Sequence, residues 1–176
     1  YTGSTTNGGA KVTVTDPTSG YTVKYGTTSG SYTLNSIPTY INAGSYTVYY
    51  QVTATNYTTF TGSLTIAIST KAVSISVTNG TAVYSGNATN GGAKVTVSAP
   101  SSGATVRYGT TSGTYNLTTV PTYTNAGTYT IYYQVTATNY TSKTGSLTIT
   151  ISKADAKVTK APTAKSLVYT GSAQEL

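Results

Sequence analysis

With 176 residues, no cysteine, no histidine and three acidic residues against ten basic ones, the chain lacks most groups from which enzymatic sites are built. Only 7% of its residues are charged, against roughly 25% in typical soluble domains, so hydroxyls and amides must keep its surface wet. The net charge of +7 forms no patch: Lys11, Lys24, Lys94, Arg107 and Lys143 are dispersed, and only Lys153, Lys157, Lys160 and Lys165 approach a cluster.

Scattered lysines protect strand edges from unwanted pairing. A single arginine, without interleaved base-stacking aromatics, argues against nucleic-acid binding. No apolar run approaches the roughly 20 residues that span a bilayer, and no charged start leads into a signal segment. No membrane insertion is expected, and the chain reads as beginning mid-protein. Without cysteine there is no disulfide framework and no thiolate metal site.

Thr, Val, Ile and Tyr dominate, residues that suit a pleated, half-buried surface and lose rotamer freedom in helices. An all-β fold is predicted. In chain order, KVTVT from Lys11, YTVKY from Tyr21, YTVYYQVTAT from Tyr46 and SLTIAI from Ser63 each alternate apolar with polar residues, the period of a strand with one covered face. In the longest run Tyr46, Val48, Tyr50, Val52 and Ala54 face inward and Thr47, Tyr49, Gln51, Thr53 and Thr55 outward. YGTTSG at Tyr25 and again at Tyr108 lacks the lysine and helix of a phosphate loop, and reads as a hairpin turn.

Residues 1–70 align with residues 84–153 without a gap, and 50 of the 70 paired positions are identical. A third copy announces itself as YTGSAQEL from Tyr169. The period exceeds that of solenoid units and suits a small β-sandwich. The twin of the long strand places Tyr129, Ile131, Tyr133, Val135 and Ala137 inside. Between the copies, AVSISV followed by Asn79-Gly80 predicts a first strand and a tight turn of the second module. The domain plan is therefore residues 1–70, a first module whose own first strand is expected upstream; 71–153, a second; and 154–176, the first strand and start of a third. A spare strand within 154–168 would complete the open edge of a neighbouring chain's first module by strand exchange. Only residues 70–72 link the modules, so a semi-rigid pair of neighbouring repeats is expected.

Asn42-Ala43-Gly44-Ser45-Tyr46-Thr47-Val48 and its repeat Asn125-Ala126-Gly127-Thr128-Tyr129-Thr130-Ile131 resemble the Asp-x-Gly/Ala-x-Tyr-x-Cys signature opening strand F of immunoglobulin-like domains. Val48 and Ile131 stand where that signature has cysteine. The resemblance implies that Tyr46 and Tyr129 are structural corner tyrosines, ring packed and hydroxyl bonded back to nearby backbone. More closely, NAG-x-YT-x-YY-x-VTATNY and TGSLTI resemble the bacterial immunoglobulin-like tandem repeats of the MBG and YDG type found in large surface and adhesin-like proteins. Tandem immunoglobulin-like β-sandwich modules, an extracellular location on a bacterial cell surface or wall, and a stalk role are what it implies.

The only carboxylates are Asp16, Asp155 and Glu175. A Ser/His/Asp or Cys/His constellation is impossible, and the acid-free stretch 84–153 holds neither a glycosidase pair nor a calcium cage. An intramolecular isopeptide bond is disfavoured for the same reason, because the reaction also uses a buried acid. No catalytic, cofactor or metal site is expected. Two readings remain: a non-catalytic spacer, or an adhesion module binding glycan or a host or cell-surface protein through repeated tyrosine and threonine faces. Of the eighteen tyrosines, Tyr49, Tyr57, Tyr132 and Tyr140 are the outward candidates for such a face, since tyrosine offers rigid amphipathic contact area.

Overall fold

The computed structural model describes residues 1–160, 163 and 166–173, and these contain no helix. The chain is all-β. In order, its strands are β1 (Tyr21–Gly26), β2 (Gly44–Ala54), β3 (Phe60–Ile68), β4 (Lys71–Ala72), β5 (Ser74–Thr78), β6 (Gly80–Val83), β7 (Lys94–Ala99), β8 (Ala104–Gly109), β9 (Gly127–Ala137), β10 (Tyr140–Thr141) and β11 (Lys143–Ser152).

The long alternating run of each copy becomes the central strand of an antiparallel sheet, in the order β1-β2-β3 in the first copy and β8-β9-β11 in the second. Tyr25 pairs with Tyr50 and Val48 with Leu64; at the counterpart positions Tyr108 pairs with Tyr133 and Ile131 with Leu147. Alternation then sorts the side chains as the pattern predicts: Ile131, Tyr133 and Val135 are buried, while Tyr132, Gln134 and Thr136 are half-exposed. Tyr133 also lies across Gly145 on β11, where an added Cβ would sit 2.3 Å from its hydroxyl oxygen. Glycine at that point lets the ring lie flat along the sheet.

The second copy has a further layer. The β5-β7 pair lays Ile75, Val95 and Val97 against a core of Val73, Ala93, Tyr108, Ile131, Tyr133, Val135, Leu147, Ile149 and Ile151. The sequence predicts one strand and a tight turn across residues 71–83, and this expectation is corrected. β5 pairs antiparallel with β7, whereas β6 runs parallel along the outer edge of β11. Asn79 is thus a crossing from one sheet to the other, held where its Oδ1 accepts the Thr148 backbone N–H at 2.9 Å. Gly80 is required there, because a Cβ would stand 2.0 Å from the Asn90 carbonyl oxygen.

The first copy differs, despite its near-identical sequence. Residues 11–15, predicted as a strand, enter no ladder among the described residues, although their counterparts lie in β7. Val12 and Val14 are half-buried and Thr13 and Thr15 exposed, so the alternation survives without the pairing. Eight of the second copy's core residues have counterparts here: Ala10, Tyr25, Val48, Tyr50, Val52, Leu64, Ile66 and Ile68. Only Val48 and Ile66 among them are buried. The described part of residues 154–168 contains no strand, and Val158, Leu167 and Val168 are exposed. The remainder of that expected donor strand lies outside the described residues.

A core truncation should therefore cost different amounts in the two copies. Leu147→Ala, at a fully packed site, is expected to lower stability by about 2 to 5 kcal/mol. Leu64→Ala, at the identical sequence position but half-buried, should cost less than half as much. Residue-resolved hydrogen exchange in β9 and β2 measures the two separately, and equal costs would contradict the difference in packing.

Candidate functional site

The tyrosines sort into distinct environments. Tyr46 and Tyr129 are half-buried, and their hydroxyls donate to the carbonyls of Asn42 and Asn125 at 2.9 and 3.0 Å. Each ring stacks on a second tyrosine: Tyr40 against Tyr46 at 3.8 Å between centroids, and Tyr123 against Tyr129 at 3.7 Å. These pairs pin the loop preceding each central strand. Burial, then the neighbouring Tyr129, raises the Tyr123 hydroxyl above its ordinary value, and burial followed by Tyr21 does the same to Tyr25.

Tyr49 and Tyr132 lie at matching points of β2 and β9, opposite Ser63 and Ser146, and both are half-exposed on the side away from the core. Tyr57 is exposed three residues beyond the end of β2, where its hydroxyl donates to Asp16 Oδ1 at 3.1 Å. Five residues of strand alone, roughly 17 Å, part Tyr49 from the end of β2, so Tyr49 and Tyr57 do not share one compact contact point.

Tyr140 is not outward as the sequence predicts. It is half-buried, packs against the second copy's core, and meets the ring of Tyr1 edge-on at 5.9 Å. The reason is the joint between the copies. The turn after β9 carries Asn139 in the left-handed region at φ 67°, a conformation its short amide tolerates. From there Asn139 Oδ1 accepts the Ala43 N–H at 2.8 Å, and Asn139 Nδ2 donates to Asn42 Oδ1 at 3.0 Å. The Ala43 N–H is a donor only, so it sets which end of the Asn139 amide faces it and leaves the NH2 for Asn42.

The backbone joins in. Asn139 carbonyl accepts the Lys71 N–H at 3.0 Å, and β10 pairs in parallel with β4, Tyr140 opposite Lys71 and Thr141 opposite Ala72. The Thr70 and Thr141 hydroxyls lie 2.6 Å apart. The three-residue link is thus itself a piece of sheet. Sequence reasoning singled out neither Asn42 nor Asn139, and the motif offers no distinction between Asn139 and Asn56. Asn56 has the same φ sign, at 66°, and is exposed.

A cleft of about 230 Å³ opens in the first copy between residues 12–16 and β2, bounded by Val12, Val14, Tyr50, Val52 and Phe60. Among the described residues no three of His, Cys, Asp and Glu gather where a metal could sit, and no helix is long and apolar enough to cross a membrane. Comparison with protein-family models, curated proteins and solved structures finds no match.

The hydrogen bond to Asp16, and then the carboxylate's charge, hold the Tyr57 proton and raise its pKa above the ordinary 10.0. The bond's contribution is complete below pH 10 and disappears as pH climbs through the raised value. Asp16→Asn should bring Tyr57 back toward the ordinary value. Carbon-13 ring shifts of Tyr57 followed against pH read the change, and an unchanged midpoint in the variant would rule the contact out.

Proposed function

We propose that the chain is a non-catalytic spacer, two immunoglobulin-like β-sandwich modules in tandem from a bacterial surface or secreted adhesin-like protein. The observation that carries this reading is the joint. A flexible tether would leave the copies joined by a few solvated residues, whereas here each linking residue is bonded: Thr70 to Thr141, Lys71 to Asn139, and Ala72 opposite Thr141. Asn139 adds two hydrogen bonds that reach the loop anchored by the stacked Tyr40 and Tyr46. A hinge loaded in this way transmits orientation from one module to the next, which is the property a stalk requires. Central strands of eleven residues give each module a length of roughly 36 Å at about 3.3 Å per residue.

The resemblance to surface repeats supports the location, and the absence of His and Cys together with the dispersal of the three acids supports the lack of catalysis. The alternative, adhesion through a face repeated in every module, is weakened by Tyr140. Its counterpart Tyr57 is open, but Tyr140 is taken up in the joint, so that part of the face is not presented twice.

Asn139→Ala removes both amide bonds of the joint without touching the core of either copy. In the parent chain residual dipolar couplings from both copies should fit one alignment tensor. In the variant the fit to a single tensor should worsen, while Asn56→Ala should behave as the parent. Independent alignment in the parent chain itself would overturn the spacer reading.

A further inference from the structure

We propose that the first copy carries a strand-accepting groove whose occupant is an extended segment of the pattern seen in residues 73–83, apolar side chains at alternate positions followed by Asn-Gly. The second copy shows the same surface filled. There, β5 bonds along β7 and β6 along β11, so one continuous segment closes both sheets. Val73 is buried, and Ile75 and Ala82 pack on the core.

Every receiving feature recurs in the first copy. Residues 11–16 repeat the alternation of β7, with Val12 and Val14 directed to the cleft in place of Val95 and Val97. The edge of β3 that corresponds to the β6 side of β11 pairs with no strand among the described residues. The turn that receives Gly80 is already built. Ala93 N–H donates to the Asn90 carbonyl and Gly92 N–H to Asn90 Oδ1, at 3.1 and 3.0 Å; Ala10 and Gly9 make the same bonds to Asn7, again at 3.1 and 3.0 Å. In the second copy the Gly91 carbonyl then accepts the Thr81 N–H at 3.0 Å, and Gly8 occupies the matching position in the first.

The groove is therefore specific in register as well as in hydrophobicity. An entering segment must place apolar residues over Val12 and Val14, cross between sheets at a residue that reaches β3, and present glycine to the Asn7 carbonyl. The gain from filling it is burial of the six core counterparts that are only half-buried: Ala10, Tyr25, Tyr50, Val52, Leu64 and Ile68. Backbone bonds of the added strand supply affinity and the alternate side chains supply selectivity, the division of labour in strand addition. The donor is an opening segment of this repeat, of which residues 73–83 are the example within this chain.

The test uses the full chain, labelled with nitrogen-15, and a synthetic peptide of residues 73–83 with blocked ends. Saturable shifts and slowed amide exchange are expected in residues 11–16 and along β3, with residues 94–99 unchanged because their site is filled. A peptide carrying Gly80→Val keeps the apolar alternation but meets the Asn7 carbonyl, and should bind about tenfold more weakly or worse. Absence of saturable change at residues 11–16 up to millimolar peptide, or equal binding by the Gly80→Val peptide, would overturn the proposal.

Discussion

Closure of two sheets by one segment is the constraint on which the rest of this structure depends. β9 and β11 present Ile131, Val135, Leu147, Ile149 and Ile151 on one face, and a sheet face of that kind must be covered to be stable in water. The cover is β5-β7; among the described residues β7 has β5 as its ladder partner, and β5 is continuous with β6 on the edge of β11. Residues 73–83 therefore act as a zip whose two halves belong to opposite layers. Where the zip is present, nine residues are buried together; at the eight counterpart positions in the first copy, two are buried.

Packing has to do this work almost unaided. Three acids in 176 residues cannot build ion-pair networks, and without cysteine there is no disulfide. Tyrosine takes over several of these duties. Stacked pairs fix the loop before each central strand, Tyr133 covers the glycine opposite it, and Tyr140 fills the joint. In each case the ring supplies contact area while the hydroxyl keeps a polar partner or water, which is how a chain with so few charges holds both a core and a wet surface.

The all-β class and the long central strands were legible from the sequence because period-two alternation over ten residues has no helical reading. The stretches that were not legible share a cause: their state is set by what lies beside them. KVTVT is the same string at residues 11–15 and, but for its last residue, at residues 94–98, yet only the second has a partner and forms a ladder. Asn79-Gly80 carries the dipeptide of a tight hairpin, and local chemistry alone cannot tell a hairpin from a crossing between sheets. What decides is the Asn90 carbonyl pressed against Gly80 and the Thr148 N–H waiting for Asn79. Tyr46 and Tyr129 were singled out by their motif, whereas Asn139 was hidden, because identical Asn-Tyr-Thr strings occur in both copies and only one of them meets a neighbour.

The joint and the zip are made from adjoining residues. Lys71 and Ala72 bond to the turn after β9, Val73 enters the core, and from Ser74 the chain is pairing with β7. No slack lies between the contact that orients the second copy on the first and the contact that closes the second copy's own core. Loosening β5 would thus pull on β4, and tilting the joint would pull on Val73. Residues 71–83 thus both seal the second copy and fasten it to the first. The orientation of the second copy on the first and the closure of its core then rest on the same few residues.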